Sequence, residues 1–352
     1  MSARSRVVVL FGGRSGEHEV SLRSAESVAE GLATHHDVLC VLIEKTGRWR
    51  LQDSPRPRAT GGEAVFLAPD PTDGGMLRRL ADADALVQPD VFFPVLHGPY
   101  GEDGTIQGLF DLAGVPYVGA GVAASATAMD KSLMKALFER AGLPQVRHRT
   151  LRGRQASAEA QILDELGLPV FVKPAGLGSS VAVSKVGTVE AFDAALELAL
   201  TYDPKAVIEE GVDAREIEVA VLGNETAEAS VPGEIVPDRE FYDYDSKYGA
   251  DSTTKLLIPA PVDKPTTTEI RRLAVDAFRV VDACGLARVD FFVERSGGRV
   301  LVNEINTMPG FTSISMYPRL WTASGLPYPD LLARLVTLAL ERHSQRAKLR
   351  TL

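Results

Sequence analysis

The sequence predicts an α/β chain: a parallel sheet covered by helices in the N-terminal third, then two lobes of mixed strands and helices. Three observations carry that prediction. Short β-branched apolar runs alternate with helical periodicities early in the chain, as where Val7-Val8-Val9-Leu10-Phe11 precedes the helical pattern of Ser21 to Leu32. The strand-to-helix joints fall on glycines, at Gly12-Gly13 and at His97-Gly98. Further on, strands pair across glycine-bearing loops, at 173–180 and at Gly297-Gly298.

Taken in order, Val7 to Phe11 reads as a strand, and Ser21 to Leu32 as a helix with Ala25, Val28, Ala29 and Leu32 on one face. Val38 to Ile43 is a strand, Met76 to Ala81 a short helix, Asp90 to Leu96 a strand and Ile106 to Ala113 a helix. The first domain is expected to close near residue 127. Lys131 to Ala141 is a helix ended by Gly142, and the strands Val170-Phe171-Val172 and Val181-Ala182-Val183 flank a glycine-rich loop. Val189 to Leu200 is a helix, and the strand from Ala206 ends in Glu209-Glu210-Gly211, where a second boundary is placed. Beyond it, strands are expected at Glu216 to Leu222, Ala229 to Ile235, Val289 to Glu294 and Val300 to Ile305, with helices at Thr268 to Cys284 and Pro329 to Arg342. The expected domains are 1–127, 128–211 and 212–345.

Composition narrows the function classes. A chain of 352 residues is long enough for two or three domains, and 45% hydrophobic with 24% charged residues excludes wholesale disorder. A formal net charge of -9 without a basic cluster argues against a nucleic-acid partner. The only apolar run near the N-terminus stops at Gly12, too short for a leader or a membrane span. Cys40 and Cys284 have no Cys-x-x-Cys or Cys/His partner spacing, which points to a cytoplasmic protein with buried thiols.

The most informative segment runs from Arg288 to Asn306. If its hairpin turns at Gly297, Asp290 faces Glu304, Arg288 faces Asn306, and all four share one face with Phe292 and Val302. Two acids set opposite one another repel unless a cation lies between them, and oxygen donors in that number suit Mg²⁺. The loop Lys173-Pro174-Ala175-Gly176-Leu177-Gly178-Ser179-Ser180 lets backbone N–H groups approach phosphate oxygens, and Lys173 at its start sits among apolar residues, where an anionic ligand would offset its charge. Lys131 and Lys135 read as solvated helix residues. Glu17, His18 and Glu19 at the first strand-to-helix turn suit a substrate ammonium or, equally, the helix dipole. His97 lies ahead of Glu102 and Asp103 in a glycine-flanked loop, where a lone histidine is more often structural than catalytic. Phe241 to Gly249 mixes aromatics and charges as lid loops do. Gly119-Ala120-Gly121-Val122-Ala123-Ala124 matches a dinucleotide fingerprint, but Glu139, at the ribose-binding distance, falls inside a helix, so that reading fails.

Together these segments resemble the ATP-grasp ligases, and within them the D-alanine–D-alanine ligase family of bacterial cell-wall synthesis. The resemblance spans nearly the whole chain. It rests on Gly12 to Leu22, Leu96 to Gly104, Met129-Asp130-Lys131, Val172-Lys173-Pro174 with Gly178-Ser179-Ser180-Val181, Phe241 to Tyr248, and Asn303 to Thr312. It implies a Rossmann-like parallel-sheet domain followed by a two-lobed α+β ATP-grasp domain. It further implies that Lys131 and Lys173 bind ATP phosphates under the loop carrying Gly178, Ser179 and Ser180. Glu209, Glu210 and Val212 would meet the adenine, Glu216 the ribose, and Asp290, Glu304 and Asn306 two Mg²⁺ ions, with Mn²⁺ as a substitute. Glu17 would hold the first D-alanine's ammonium, with Ser179 and Tyr248 completing a hydrogen-bonded trio and His97 nearby. Arg288 and the backbone of Gly310 would stabilise the oxyanion, while Ser315, Met316 and Lys247 would serve the second D-alanine. A homodimer is implied as well.

Two departures stand out: Ala182 where the family often has glycine, and Glu210 where it often has lysine. Tyr248 is retained, which favours D-alanine over D-lactate as second substrate. The alternatives are an ATP-grasp ligase using D-lactate or D-serine, and a nucleotide-binding regulator without catalysis. Retention of Arg288, Asp290, Glu304 and Asn306 argues against the regulator.

Overall fold

The computed structural model describes residues 4–178, 181–237, 254–312 and 314–349. The N-terminal sheet begins with β1 (Arg6–Gly12), followed by α1 (His18–Leu32) and β2 (Asp37–Ile43). It continues through β3 (Trp49–Leu51), β4 (Glu63–Leu67), β5 (Leu77–Arg79), β6 (Ala85–Val87) and β7 (Val91–Val95), in the order β6-β5-β4-β3-β2-β1-β7. The expected parallel arrangement holds for β2-β1-β7, while β3 to β6 extend the sheet antiparallel. β1 lies between β2 and β7, and its apolar run Val7 to Phe11 is fully buried, as a strand covered on both faces must be.

Met76 to Ala81, expected as a short helix, contains β5 instead. A segment this short cannot offset the cost of helix nucleation, whereas as a strand it finds ladder partners in both β4 and β6. Gly12 closes β1 at φ 91°, and a Cβ there would lie 2.3 Å from the Ile43 carbonyl oxygen, so the chain turns toward α1 only with glycine at this point.

After α2 (Thr105–Ala113), α3 (Val122–Met129) and α4 (Lys131–Arg140) comes an antiparallel sheet. Its strands are β8 (His148–Arg152), β9 (Val170–Pro174), β10 (Ser184–Val186) and β11 (Lys205–Glu210), in the order β10-β9-β11-β8. Helices α5 (Ala156–Leu166) and α6 (Val189–Tyr202) cover it, enclosing a core of its own around Val170, Val172, Leu196 and Ile208. The strand expected at Val181–Val183 starts only at Ser184, because Ala182 takes a left-handed φ of 56° that ends strand geometry.

The third sheet holds β12 (Ala214–Gly223), β13 (Ala227–Ala229), β14 (Gly233–Val236), β15 (Lys255–Leu257), β16 (Gly285–Glu294) and β17 (Val300–Asn306). Its order is β15-β14-β12-β16-β17, with β13 also on β12. The single strand expected over Ala229 to Ile235 is split between β13 and β14, since Pro232 between them has no N–H for a ladder. Helix α7 (Lys264–Val280) packs on one face, and α8 (Met316–Ala323) and α9 (Tyr328–Arg346) on the other. Leu331, Leu332 and Leu335 of α9 share a core with Val7, Val9 and Phe11 and with Ala220 and Leu286. The first and third sheets are thus joined through common apolar packing, and the second stands on a separate core.

Candidate active site between the second and third sheets

A cleft of about 800 Å³ opens between the second and third sheets. Lys131, Lys173, Gly178, Glu209, Glu210, Val212, Glu216, Arg288, Asp290 and Glu304 all line it. Those residues come from α4, β9, β11, β12, β16, β17 and the joins between them.

One wall is cationic. Asp130 caps α4 by accepting from Ser132 N and Leu133 N, and the helix aims Lys131 and Lys135, one turn apart, the same way. Both lysines are buried, which corrects the expectation that they are solvated. Lys131 Nζ donates to the Leu177 carbonyl at 2.5 Å and lies 3.9 Å from Glu304 Oε2. Glu209 is bridged by two ammoniums, Lys173 Nζ at 2.6 Å from Oε2 and Lys135 Nζ at 3.0 Å from Oε1. Burial alone would push the Glu209 carboxyl up, but the two lysines hold it well below the usual range. Lys173 is pushed down by burial and more than restored by Glu209, Glu304 and Glu216. Lys131 stays lowered, by burial and by the neighbouring Lys173 and Lys135, despite Glu304. A buried cation short of negative charge suits an anion, and phosphate oxygens answer that need.

The facing wall is acidic. The register pairs Glu218 of β12 with Asp290 of β16, and Asp290 with Glu304 of β17, while Arg288 pairs with Asn306. The expected cross-strand pairs are therefore present up to Asp290. Beyond it a bulge leaves Asn303 unpaired, so Val302 faces Phe291 rather than Phe292 and turns into the core. Arg288 grips Asp290 with Nε to Oδ1 and Nη2 to Oδ2, both 2.7 Å, and its Nε is 3.2 Å from Glu218 Oε2. Burial lowers its affinity for protons, yet Asp290, Glu218 and Glu304 raise it well above the ordinary value, so this guanidinium is permanently charged. The register brings Asp290, Glu304 and Asn306 to one face of the β16–β17 pair, and hard oxygen donors of this kind suit a divalent cation such as Mg²⁺. Asn306 Oδ1 also accepts from Met308 N at 2.9 Å, which fixes the side chain.

A second cluster lies where β7 ends. Ser15 Oγ donates to the His97 carbonyl at 2.6 Å, and a Cβ on Gly98 would stand 2.9 Å from Glu17 Oε2. His97 is buried, with Nδ1 3.2 Å from the Met308 carbonyl and Nε2 3.3 Å from Ser24 Oγ. Glu102, 3.9 Å from His97 Nδ1, accepts from Gly98 N at 2.8 Å. His97 therefore ties the first sheet to the segment that leaves β17. In that segment Ser315 Oγ accepts from Thr312 N at 3.0 Å, and a Cβ on Gly310 would lie 2.9 Å from the same oxygen. Ser315 caps α8, its own N–H donating to the Thr312 carbonyl at 3.0 Å, and Met316 opens the helix, whose first-turn N–H groups have no partner within it.

Ser179, Ser180, Lys247 and Tyr248, with the rest of the expected lid, lie outside the described residues. Sequence reading missed Lys135 as a buried partner of Glu209 and Glu218 as a second acid on Arg288. It also missed Arg147, whose Nε lies 2.6 Å from Glu210 Oε2. The helical spacing of Lys131 and Lys135, and the strand spacing of Glu216 and Glu218, were the available signals.

A cleft between two antiparallel sheets, cationic on one wall and acidic on the other, together with a parallel-sheet domain fused to the second of them, defines an ATP-grasp ligase architecture. The family described as D-ala D-ala ligase N-terminus matches residues 6–120, and that described as D-ala D-ala ligase C-terminus matches 137–337. The chain is 50% identical to a D-alanine–D-alanine ligase of Heliobacterium modesticaldum, covering 98% of this chain and 97% of that one. It is 47% identical to D-alanine–D-alanine ligase A of Bradyrhizobium diazoefficiens, covering 99% and 98%. Among structures, the D-alanine-D-alanine ligase from Coxiella burnetii superposes with a TM-score of 0.86 at 37% identity, covering 98% of this chain and 96% of that one. The VanG D-Ala:D-Ser ligase from Enterococcus faecalis gives 0.85 at 32%, covering 96% and 100%. The chain belongs to the D-alanine–D-alanine ligase family. No helix among the described residues is long and apolar enough to cross a membrane.

Proposed function

We propose that this enzyme joins two D-alanines into D-alanyl-D-alanine, consuming ATP through a D-alanyl phosphate, to supply a peptidoglycan precursor. The observation that carries the reading is the juxtaposition of Lys131 and Lys173 with Arg288, Asp290 and Glu304 around one cleft. A carboxylate resists attack by an amine because its leaving oxygen is poor, and phosphoryl transfer from ATP converts that oxygen into a good leaving group. Lys131 and Lys173 hold the phosphates, under the loop of Gly178, Ser179 and Ser180, so that the first substrate's carboxylate meets the γ-phosphorus in line. Glu209, Glu210 and Val212 border the adenine and Glu216 the ribose. Asp290, Glu304 and Asn306 would hold two Mg²⁺ ions, which supply charge neutralisation to the transferring phosphoryl group.

Glu17 takes the first D-alanine's ammonium, in a trio with Ser179 and Tyr248 and beside His97. The second D-alanine presents its carboxylate to Ser315 and Met316 at the α8 N-terminus, next to Lys247, and its amine attacks the acyl phosphate. Arg288 and the Gly310 N–H then stabilise the tetrahedral oxyanion, and phosphate departs. Three functional units, 1–127, 128–211 and 212–345, a homodimer and a cytoplasmic location complete the proposal.

The test is phosphate release from MgATP with D-alanine, with L-alanine, with D-alanine plus D-lactate and with D-alanine plus D-serine, each product being separated and identified. Phosphate matched by D-alanyl-D-alanine is the expected result. A mixed product formed in preference replaces the acceptor, and ATP binding without D-alanine-dependent turnover overturns the ligase reading in favour of a regulator.

A further inference from the structure

Lys135 is 1% exposed and is not among the residues that line the cleft, yet its ammonium lies 3.0 Å from Glu209, which does line it. The same carboxylate holds Lys173 at 2.6 Å. A buried ammonium is expensive to desolvate, and one acid bridged by two lysines is more cation than a structural ion pair needs. His148 does not compete for Glu209 as a cation, since burial and Lys135 both lower its proton affinity.

The surplus has a use once an anion enters the cleft. For Lys173 to turn toward a phosphate it must loosen its hold on Glu209, which is 2% exposed. With Lys173 as the sole partner, that movement would strand a buried carboxylate. With Lys135 on the other oxygen, Glu209 stays neutralised and Lys173 is released. We propose that Lys135 is a positioning residue for nucleotide binding, keeping Glu209 paired when Lys173 moves to the phosphates of ATP. This rests on the ligase reading above and adds the residue that sets its phosphate affinity.

The experiment measures binding of ATP and of adenosine by calorimetry to wild type, Lys135→Met, Glu209→Gln and the double variant, with thermal melting of each. In Lys135→Met the Kd for ATP is expected to rise roughly 10- to 100-fold, while adenosine, with no phosphate to draw Lys173 away, binds as before. In the Glu209→Gln background the same substitution should change ATP affinity by less than about twofold, because no buried charge remains to be paired. An unchanged Kd in Lys135→Met, or an equal loss in both backgrounds, overturns the proposal in favour of a merely structural lysine. If Lys135→Met does not fold, Glu209→Gln against the double variant decides: equal ATP affinities support the role, and a further loss refutes it. A wild type that binds no ATP overturns the ligase reading, and this inference with it.

Discussion

Two buried polar clusters, one in the cleft and one at the end of β7, are built from the same kinds of side chain with opposite balance. In the first, Lys135 and Lys173 share Glu209, leaving a surplus of positive charge. In the second, His97 lies 3.9 Å from Glu102 and also feels the charge of Glu17, one basic group beside two acids. Burying charge is costly, so the balance of acids and bases in each cluster bears on what it can hold. On the function proposed above, the difference matches the ligands: an anion beside the Glu209 cluster and the first substrate's ammonium beside the His97 cluster. Arg288, itself gripped by Asp290 and Glu218, lines the cleft beside the first cluster.

If Arg288 serves charge developing during reaction rather than binding, Arg288→Ala should lower kcat by about 1000-fold or more and leave the Kd for ATP within a few fold. Equal losses in both would merge it with the cationic wall. The clusters also differ in what removal of their acid does. Glu209→Ala leaves two lysines crowded in a buried site and should destabilise the fold by about 3–5 kcal/mol in urea titration. Glu102→Ala leaves one imidazole that can lose its proton, so the expected cost is smaller, about 1–3 kcal/mol. The reverse order would end the contrast.

Much of this was legible beforehand because strand pairing is arithmetic. Once Gly297 is taken as the turn, Asp290 must meet Glu304 and Arg288 must meet Asn306, and they do. Phe292 and Val302 did not follow, because a bulge adds one residue and no pattern in the sequence marks it. The burial of Lys135 was also hidden: its helix spacing is visible, but what covers that face is β11, distant in sequence. Likewise the antiparallel extension through β5 depends on neighbours that a local window around Met76 does not contain. Local pattern read the strands, and contacts between distant segments chose which charges became buried.

The two clusters should also answer pH in opposite directions. His97, lowered by burial but raised overall by Glu102 and Glu17, sits above its ordinary 6.5, so its stabilisation is complete below that pH and is lost as pH rises through the folded value. Glu102, raised by burial above 4.5, loses stabilisation in the same direction. Glu209 is lowered, so its stabilisation is present above 4.5 and is lost as pH falls below it. Relative to wild type, His97→Asn/Glu102→Gln should flatten the fall of Tm above pH 6.5 by a few degrees, and Glu209→Gln should flatten it below pH 4.5. Matching slopes in one direction would remove the distinction.

The smallest effect lies beyond both clusters, at Ala182, whose φ of 56° is left-handed. An L-residue there is strained by about 1–2 kcal/mol, and glycine removes that strain while adding about 0.5–1 kcal/mol of unfolded-state entropy. Ala182→Gly should therefore stabilise the protein by about 0.5–1 kcal/mol in urea titration, without the pH signature of either cluster. A loss of stability would mean that the methyl group's packing outweighs the strain. A gain accompanied by weaker ATP binding would mean that the stiffness conferred by alanine serves the phosphate loop, and would attach this position to the cationic wall.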